Sequence, residues 1–184
     1  RLRSTLVVAC GALARAVTGL VSAHGWDHLR VTCLPAKLHN YPDQIPDALR
    51  RKIVDERRVD EPVLVMYGDC GTSGAIDKVL EEFDATRIPG AHCYELFTGY
   101  DQFADIMDSE PGSFFLTDFL AQHFDRLVWQ GLGMDKNPKL ISLYFANYTR
   151  LLYLAQGENP KIEKMAEQAA RKLNLRFEVR RTGY

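Results

Sequence analysis

No stretch of this sequence approaches the roughly 20 consecutive apolar residues that a helix needs to cross a bilayer, and the opening Arg1-Leu2-Arg3-Ser4-Thr5-Leu6-Val7-Val8 is too short to read as a secretory signal. A cytoplasmic protein is the expectation. Neither sign of charge dominates, with 23 Lys and Arg against 24 Asp and Glu, so nothing in the overall balance draws the chain to nucleic acid or to an anionic membrane. Small molecules and other proteins remain as partners, and a homo-oligomer is compatible with the composition. There is no internal repeat, low-complexity tract or linker, so the 184 residues are expected to form a single α/β domain, 1–184.

Cysteine is scarce, with four residues in the chain, and none belongs to a CxxC pair, the usual spacing of zinc and redox motifs. In a reducing compartment those thiols stay free, which leaves packing, metal binding or catalysis as their use. The glycine-rich stretch Gly68-Asp69-Cys70-Gly71-Thr72-Ser73-Gly74 lacks the lysine of a P-loop, so anion binding there ranks second.

What is present alternates. Thr5 to Ala9 is a short β-branched run that ends at Cys10-Gly11, and Leu13, Val17, Leu20 and Val21 then recur at helical spacing. Leu29 to Leu34 reads as a second strand, followed by a Pro-bounded loop, Pro35 to Pro42, and a helix from Pro46 to Glu56 with Leu49, Ile53 and Val54 facing inward. Pro62 to Tyr67 is a continuous apolar run, as in a strand buried on both faces, and it leads through the glycine-rich turn into a helix ending near Phe83. Three successive βα units predict a single parallel, doubly wound, Rossmann-like sheet with helices on both faces.

The later pattern predicts short strands at Thr86 to Ile88 and Ser113 to Leu116, a helix capped by Thr117 or Asp118, and a helix from Pro138 to Tyr148. A strand at Arg150 to Ala155, an amphipathic helix from Pro160 to Leu173 and an edge strand at Arg176 to Arg180 complete it. Phe114, Phe115 and Phe119 read as core; exposed, they would suit a protein partner.

In an open parallel sheet the residues just past the carboxyl ends of the strands share one rim, and ligands bind there at the point where strand order reverses. Cys10 and Cys70 fall at such ends, and Cys93 lies in the loop Ile88-Pro89-Gly90-Ala91-His92-Cys93 that follows the fourth strand. Three thiols and an imidazole on one rim suit zinc, and soft thiolates also select an Fe–S cluster. The alternative is that buried free cysteines act as small hydrophobes, and Cys33, inside an apolar strand, reads that way.

His39, in the Pro35 to Pro42 loop, is a candidate ligand, general base or loop-locking residue, and His92 has the same choice. His24, His28 and His123 read as surface or structural. Asp69 either orients a ligand histidine or caps the helix after it, and Glu95 is a weaker candidate proton acceptor. A metal-free reading also stands, in which Cys10 and Cys70 form an acid and base pair, or one is a nucleophile with His39 as base, as in racemases and cysteine amidohydrolases.

The strings Ala9-Cys10-Gly11-Ala12-Leu13, Leu34-Pro35-Ala36-Lys37-Leu38-His39-Asn40, Tyr67-Gly68-Asp69-Cys70-Gly71, Ile88-Pro89-Gly90-Ala91-His92-Cys93 and Glu110-Pro111-Gly112-Ser113, in this order, resemble domain-of-unknown-function family 1638. Relatives carry an Asp between the His and Cys of the fourth string, whereas His92 directly precedes Cys93 here. The resemblance implies a link to corrinoid-dependent methyl transfer, with corrinoid proteins as partners. Together these readings make Cys10, Cys70, Cys93 and His92 the expected metal ligands, zinc the expected ion, and His39 and Asp69 the expected groups for proton transfer.

Overall fold

A computed structural model describes residues 3–183. Two compact units divide the chain, Arg1–Cys93 and Tyr94–Tyr184, and each is built on its own parallel sheet. The parallel α/β organisation predicted from the alternating pattern is present twice, instead of as one continuous sheet.

The first unit runs β1 (Thr5–Cys10), α1 (Ala14–Ala23), β2 (Leu29–Leu34), α2 (Ile45–Glu56), β3 (Val63–Met66), α3 (Ala75–Phe83) and β4 (Thr86–Arg87). Its strands are parallel and lie in the order β2-β1-β3-β4. β1 is central, and from Leu6 to Cys10 every residue is buried, which is why its sequence is a continuous apolar run without alternation. The chain leaves β1 toward β2 on one side and returns past β1 to β3 on the other. Right-handed crossovers then put α1 on one face and α2 and α3 on the opposite one, where α2 packs against α3. The order reverses between β1 and β3, and that is the switch point.

α2 buries Ile45, Leu49 and Ile53, a strict i, i+4 stripe, while Val54 is 65% exposed. The expectation that Val54 faces inward is therefore wrong: it sits about 100° around the helix from Ile53. The amino-terminal ends of the strands are tied by Glu61, which is 3% exposed and takes two hydrogen bonds from Arg30 (Nε and Nη2, both 2.9 Å) and one from Ser4 Oγ at 2.5 Å.

The second unit contains α4 (Glu95–Thr98), α5 (Tyr100–Ser109), β5 (Ser113–Thr117), α6 (Asp118–Gln122), a π-helical turn (Asp125–Gln130), α7 (Lys139–Phe145), β6 (Arg150–Ala155), α8 (Pro160–Leu173) and β7 (Arg176–Arg181). Its sheet, β5-β6-β7, is parallel, with β6 wholly buried in the centre. Phe115 is core, packed with Phe103, Ile106, Leu152 and Leu154, and Phe114 meets Phe145 edge-on at 5.1 Å. Thr117 caps α6, its hydroxyl accepting from the Leu120 N–H at 3.3 Å, as the sequence predicts. Among the described residues no helix is long and apolar enough to cross a membrane.

Candidate thiol site at the switch point

All the residues singled out as metal ligands lie in the first unit, around the carboxyl ends of β1 and β3. Cys10 is the last residue of β1 and is 5% exposed. The chain turns at once into the 3₁₀ turn Gly11–Leu13, and the backbone N–H groups of Ala12 and Leu13 face the Cys10 sulfur. Gly11 is required here: a Cβ on it would meet the Leu34 carbonyl at 2.8 Å and the Ala36 nitrogen at 2.9 Å. Without a side chain, the ends of β1 and β2 converge and the Pro35 to Pro42 loop starts beside Cys10.

Past β3 the backbone runs alongside the loop that carries Cys93. The Asp69 N–H donates to the Gly90 carbonyl (2.9 Å) and the Cys70 N–H to the Ala91 carbonyl (2.8 Å). Gly68 again admits the approach, since a Cβ there would lie 2.9 Å from the His92 nitrogen. Two backbone hydrogen bonds thus hold residues over twenty positions apart in register and set Cys70 beside Cys93. Arg87 holds the other end of that loop, pairing with Asp77 at 2.6 Å and donating to the Ile88 carbonyl at 2.9 Å.

Cys70 has φ +49°, a left-handed conformation that costs an L-residue roughly 1–2 kcal/mol. The Asp69 carboxylate stabilises the turn that imposes it by accepting from Thr72 Oγ1 (3.0 Å), the Ser73 N–H (3.1 Å) and the Gly74 N–H (2.7 Å). Those bonds, the Gly74 N–H foremost, hold the Asp69 pKa below the usual carboxylate range. Asp69 does not cap α3, whose N-cap is Gly74 with no side-chain cap bond; its carboxylate instead braces the turn before the helix.

The three thiols meet. The Cys70 and Cys93 sulfurs are 3.0 Å apart, and the Cys93 thiol is shared between Cys10 and Cys70. The Cys93 pKa is raised by its side-chain hydrogen bonds with Cys10 and Cys70 and by burial. Cys10 is brought down to about 7, chiefly by its hydrogen bond with Cys93 and against the effect of burial. The Cys70 pKa is lowered first by its own hydrogen bond with Cys93, and the backbone N–H groups of Cys93 and Gly68 add to it. Cys33 sits one strand away, paired with Ala9, with its thiol pKa raised by burial.

The Tyr67 side chain reaches the same place. It is 2% exposed, and burial first, then the neighbouring Cys10, Cys93 and Cys70, hold its pKa above the usual tyrosine value. In the sequence it looks like the last residue of an apolar run, and nothing marks it as part of a site.

His39 lies on the 3₁₀ turn Ala36–Asn40, at the protein surface. The chain packed around its ring excludes enough water, and His92 is close enough, to hold its pKa below the ordinary imidazole value. The structure therefore brings the two candidate histidines near one another. The same loop lies over the turn that carries Cys70, with Pro42 3.3 Å from where a Gly71 Cβ would stand. Glu95 is buried in α4 of the second unit.

Among the described residues, no group of three or more His, Cys, Asp or Glu side chains is placed so that it could hold a metal ion as it stands. Two thiolates bound about 2.3 Å from a tetrahedral zinc are about 3.8 Å apart, so Cys70 and Cys93 would have to separate by less than an ångström to share one. Two of the three sulfurs, Cys10 and Cys70, have lowered pKa values, chiefly through Cys93 and further through backbone N–H groups.

Protein of unknown function (DUF1638) describes the family whose pattern matches residues 33–184. The matched region holds His39, Cys70, His92 and Cys93, and it begins after Cys10. No curated protein matches the chain, and no solved structure does.

Proposed function

The chain belongs to the DUF1638 family of proteins of unknown function, and from its thiol site we propose that it is a metal–thiolate protein in which Cys10, Cys70 and Cys93 hold one soft ion, zinc first. The observation that carries the reading is that one thiol, Cys93, is shared by the other two. A buried free cysteine packs as a small hydrophobe wherever the core has room, whereas here three cysteines from three separate segments gather at one rim. The N–H groups facing Cys10 and Cys70 add to this, since they stabilise the anionic sulfur that a metal requires.

Three protein thiolates leave one position of a tetrahedral ion for His92, for His39 or for a bound molecule. Zinc, when bound, acts as a Lewis acid and holds a thiol or water in its deprotonated form at neutral pH. That chemistry suits a methyl-transfer step to a thiolate and a corrinoid protein as partner. His39, its pKa lowered by burial and by His92, is the group at the rim placed to take a proton.

Elemental analysis of the protein purified without oxygen tests this. Close to one zinc per chain is expected, lost in Cys10→Ser, Cys70→Ser and Cys93→Ser and kept in Cys33→Ser. Full occupancy in all three site variants, or no uptake of zinc by the reduced wild type, overturns it.

A second reading draws on the 3.0 Å between the Cys70 and Cys93 sulfurs. Thiols that close are positioned for disulfide formation, so the site would act as a dithiol that exchanges electrons with small-molecule disulfides.

A further inference from the structure

The three thiols of the site differ in what can reach them. Cys10 is 5% exposed and Cys93 9%, whereas Cys70 is half-buried. Cys10 ends the central strand of its sheet, with β2 on one side and β3 on the other. Cys93 sits in a loop pressed against the turn after β3, where a Cβ on Gly68 would stand 2.9 Å from the His92 nitrogen and 3.0 Å from the His92 carbonyl carbon. Cys70 stands on that turn, which the Asp69 carboxylate braces, and it is the member of the cluster partly open to solvent.

Exchange between a dithiol and a disulfide has two steps with different requirements. In the first, a protein thiol attacks a sulfur of the incoming molecule, so it must be accessible. In the second, a neighbouring protein thiol attacks the sulfur now held in the mixed disulfide, and proximity replaces access. Cys70 meets the first requirement. Cys93, buried with its sulfur 3.0 Å from that of Cys70, meets the second. The Pro35 to Pro42 loop lies over the same turn, with Pro42 3.3 Å from where a Gly71 Cβ would stand, so the approach suits a disulfide carried on a small molecule and not one set in a folded surface.

We propose that Cys70 is the entering nucleophile of this site and Cys93 its resolving thiol, acting on low-molecular-weight disulfides. The inference rests on the dithiol reading above. Cys70 attacks one sulfur of the substrate; a bond forms between them, the substrate S–S bond breaks, and the first half leaves as a thiol with the proton that Cys70 gives up. Cys93 then attacks the Cys70 sulfur. The Cys70–Cys93 bond forms, the mixed disulfide breaks, and the second half leaves as a thiol with the Cys93 proton. The substrate gains two electrons and two protons, and the two cysteines lose them.

The test treats the full chain, metal-free and reduced, with oxidised glutathione and follows it by intact mass and peptide mapping. A Cys33→Ser background removes the other half-buried thiol. In that background the protein should end with Cys70 joined to Cys93. Adding Cys93→Ser should stop the reaction halfway, with one glutathione held on Cys70. Adding Cys70→Ser should leave Cys93 unmodified over the same time, because the remaining thiol is out of reach. If Cys93→Ser does not fold, Cys93→Ala carries the same comparison, since it removes the thiol without placing a hydroxyl in the core. No adduct at Cys70 in the Cys93 variant, or an adduct at Cys93 in the Cys70 variant, overturns the assignment of roles and leaves the dithiol reading standing. A Cys33→Ser protein that forms no disulfide between Cys70 and Cys93 overturns both.

Discussion

The sulfurs of Cys70 and Cys93 lie 3.0 Å apart although the two residues are separated by 23 positions in sequence. The contact is made by backbone and not by the side chains, through the Asp69 to Gly90 and Cys70 to Ala91 hydrogen bonds that bind the turn after β3 to the loop after β4. Disulfide formation between them then needs little movement. Oxidised glutathione added to the metal-free protein should take two electrons and two protons from this pair and end as two glutathione thiols, leaving a Cys70–Cys93 disulfide. The chain should lose about 2 Da and peptide mapping should find Cys70 joined to Cys93, with Cys10 and Cys33 still open to alkylation. Zinc added first should slow the reaction. A product that joins Cys10 to Cys93, or a mixed disulfide that persists on Cys70, would count against the dithiol reading.

Acid stability should depend on the opposite end of the same sheet. Glu61 is buried and hydrogen-bonded by Arg30, Ser4 and the Arg58 N–H, and the Arg30 guanidinium, first among these, holds its carboxyl down to about 2. A carboxylate lowered in the folded state stabilises fully above its unfolded pKa of 4.5 and loses that contribution as pH falls toward 2. The lowering corresponds to about 3 kcal/mol before screening, part of which is lost to the water that reaches Arg30. Urea midpoints measured from pH 6 to pH 2 should drop steeply in wild type below pH 4.5. In Glu61→Gln the midpoint should be lower at pH 6 and the acid slope shallower. The same slope in both proteins would show that another carboxylate governs acid unfolding.

Much of the first unit can be read from local pattern. Continuous apolar runs mark β1, which is buried on both faces, and β3, whose Leu64 and Met66 are only half-buried, and the three βα units place Cys10 and Cys70 at carboxyl ends, where the structure has them. What the pattern does not carry is pairing. Nothing local says that the turn at Cys70 will hydrogen-bond to Gly90 and Ala91, so the contact between Cys70 and Cys93 is legible only once the fold is known. Tyr67 is hidden for a related reason: an aromatic at the end of an apolar run looks like core, and only the fold sets its side chain beside the thiols. The division into two sheets is equally non-local, since a short parallel strand such as β5 has the same composition whichever strand it joins. α5 escapes because Asp101, Asp105 and Asp108 surround the two residues, Phe103 and Ile106, that it buries, and its start is set by Gly99 at φ +79° in place of a side-chain cap.

The last prediction concerns the backbone at Cys70. Its φ of +49° and that of Gly71 at +80° form a left-handed pair in a turn where glycine at both positions would be unstrained. A cysteine held there suggests that the turn is retained for the thiol and not for stability, a pattern found where local strain is kept for function. Cys70→Gly and Cys70→Ala both remove the thiol and its contact with Cys93, so both should abolish zinc binding. They differ in the Cβ. Alanine keeps the left-handed strain, whereas glycine relieves it while adding freedom to the unfolded chain. The relief outweighs the added freedom at positive φ, so Cys70→Gly should be the more stable of the two by about 1 kcal/mol. Urea denaturation of the metal-free, reduced variants measures the difference directly, and because the lost sulfur cancels between them, the comparison isolates backbone strain from thiol chemistry. If Cys70→Ala proves equal to or more stable than Cys70→Gly, the turn is not strained at this residue and the cysteine's presence there needs no functional explanation.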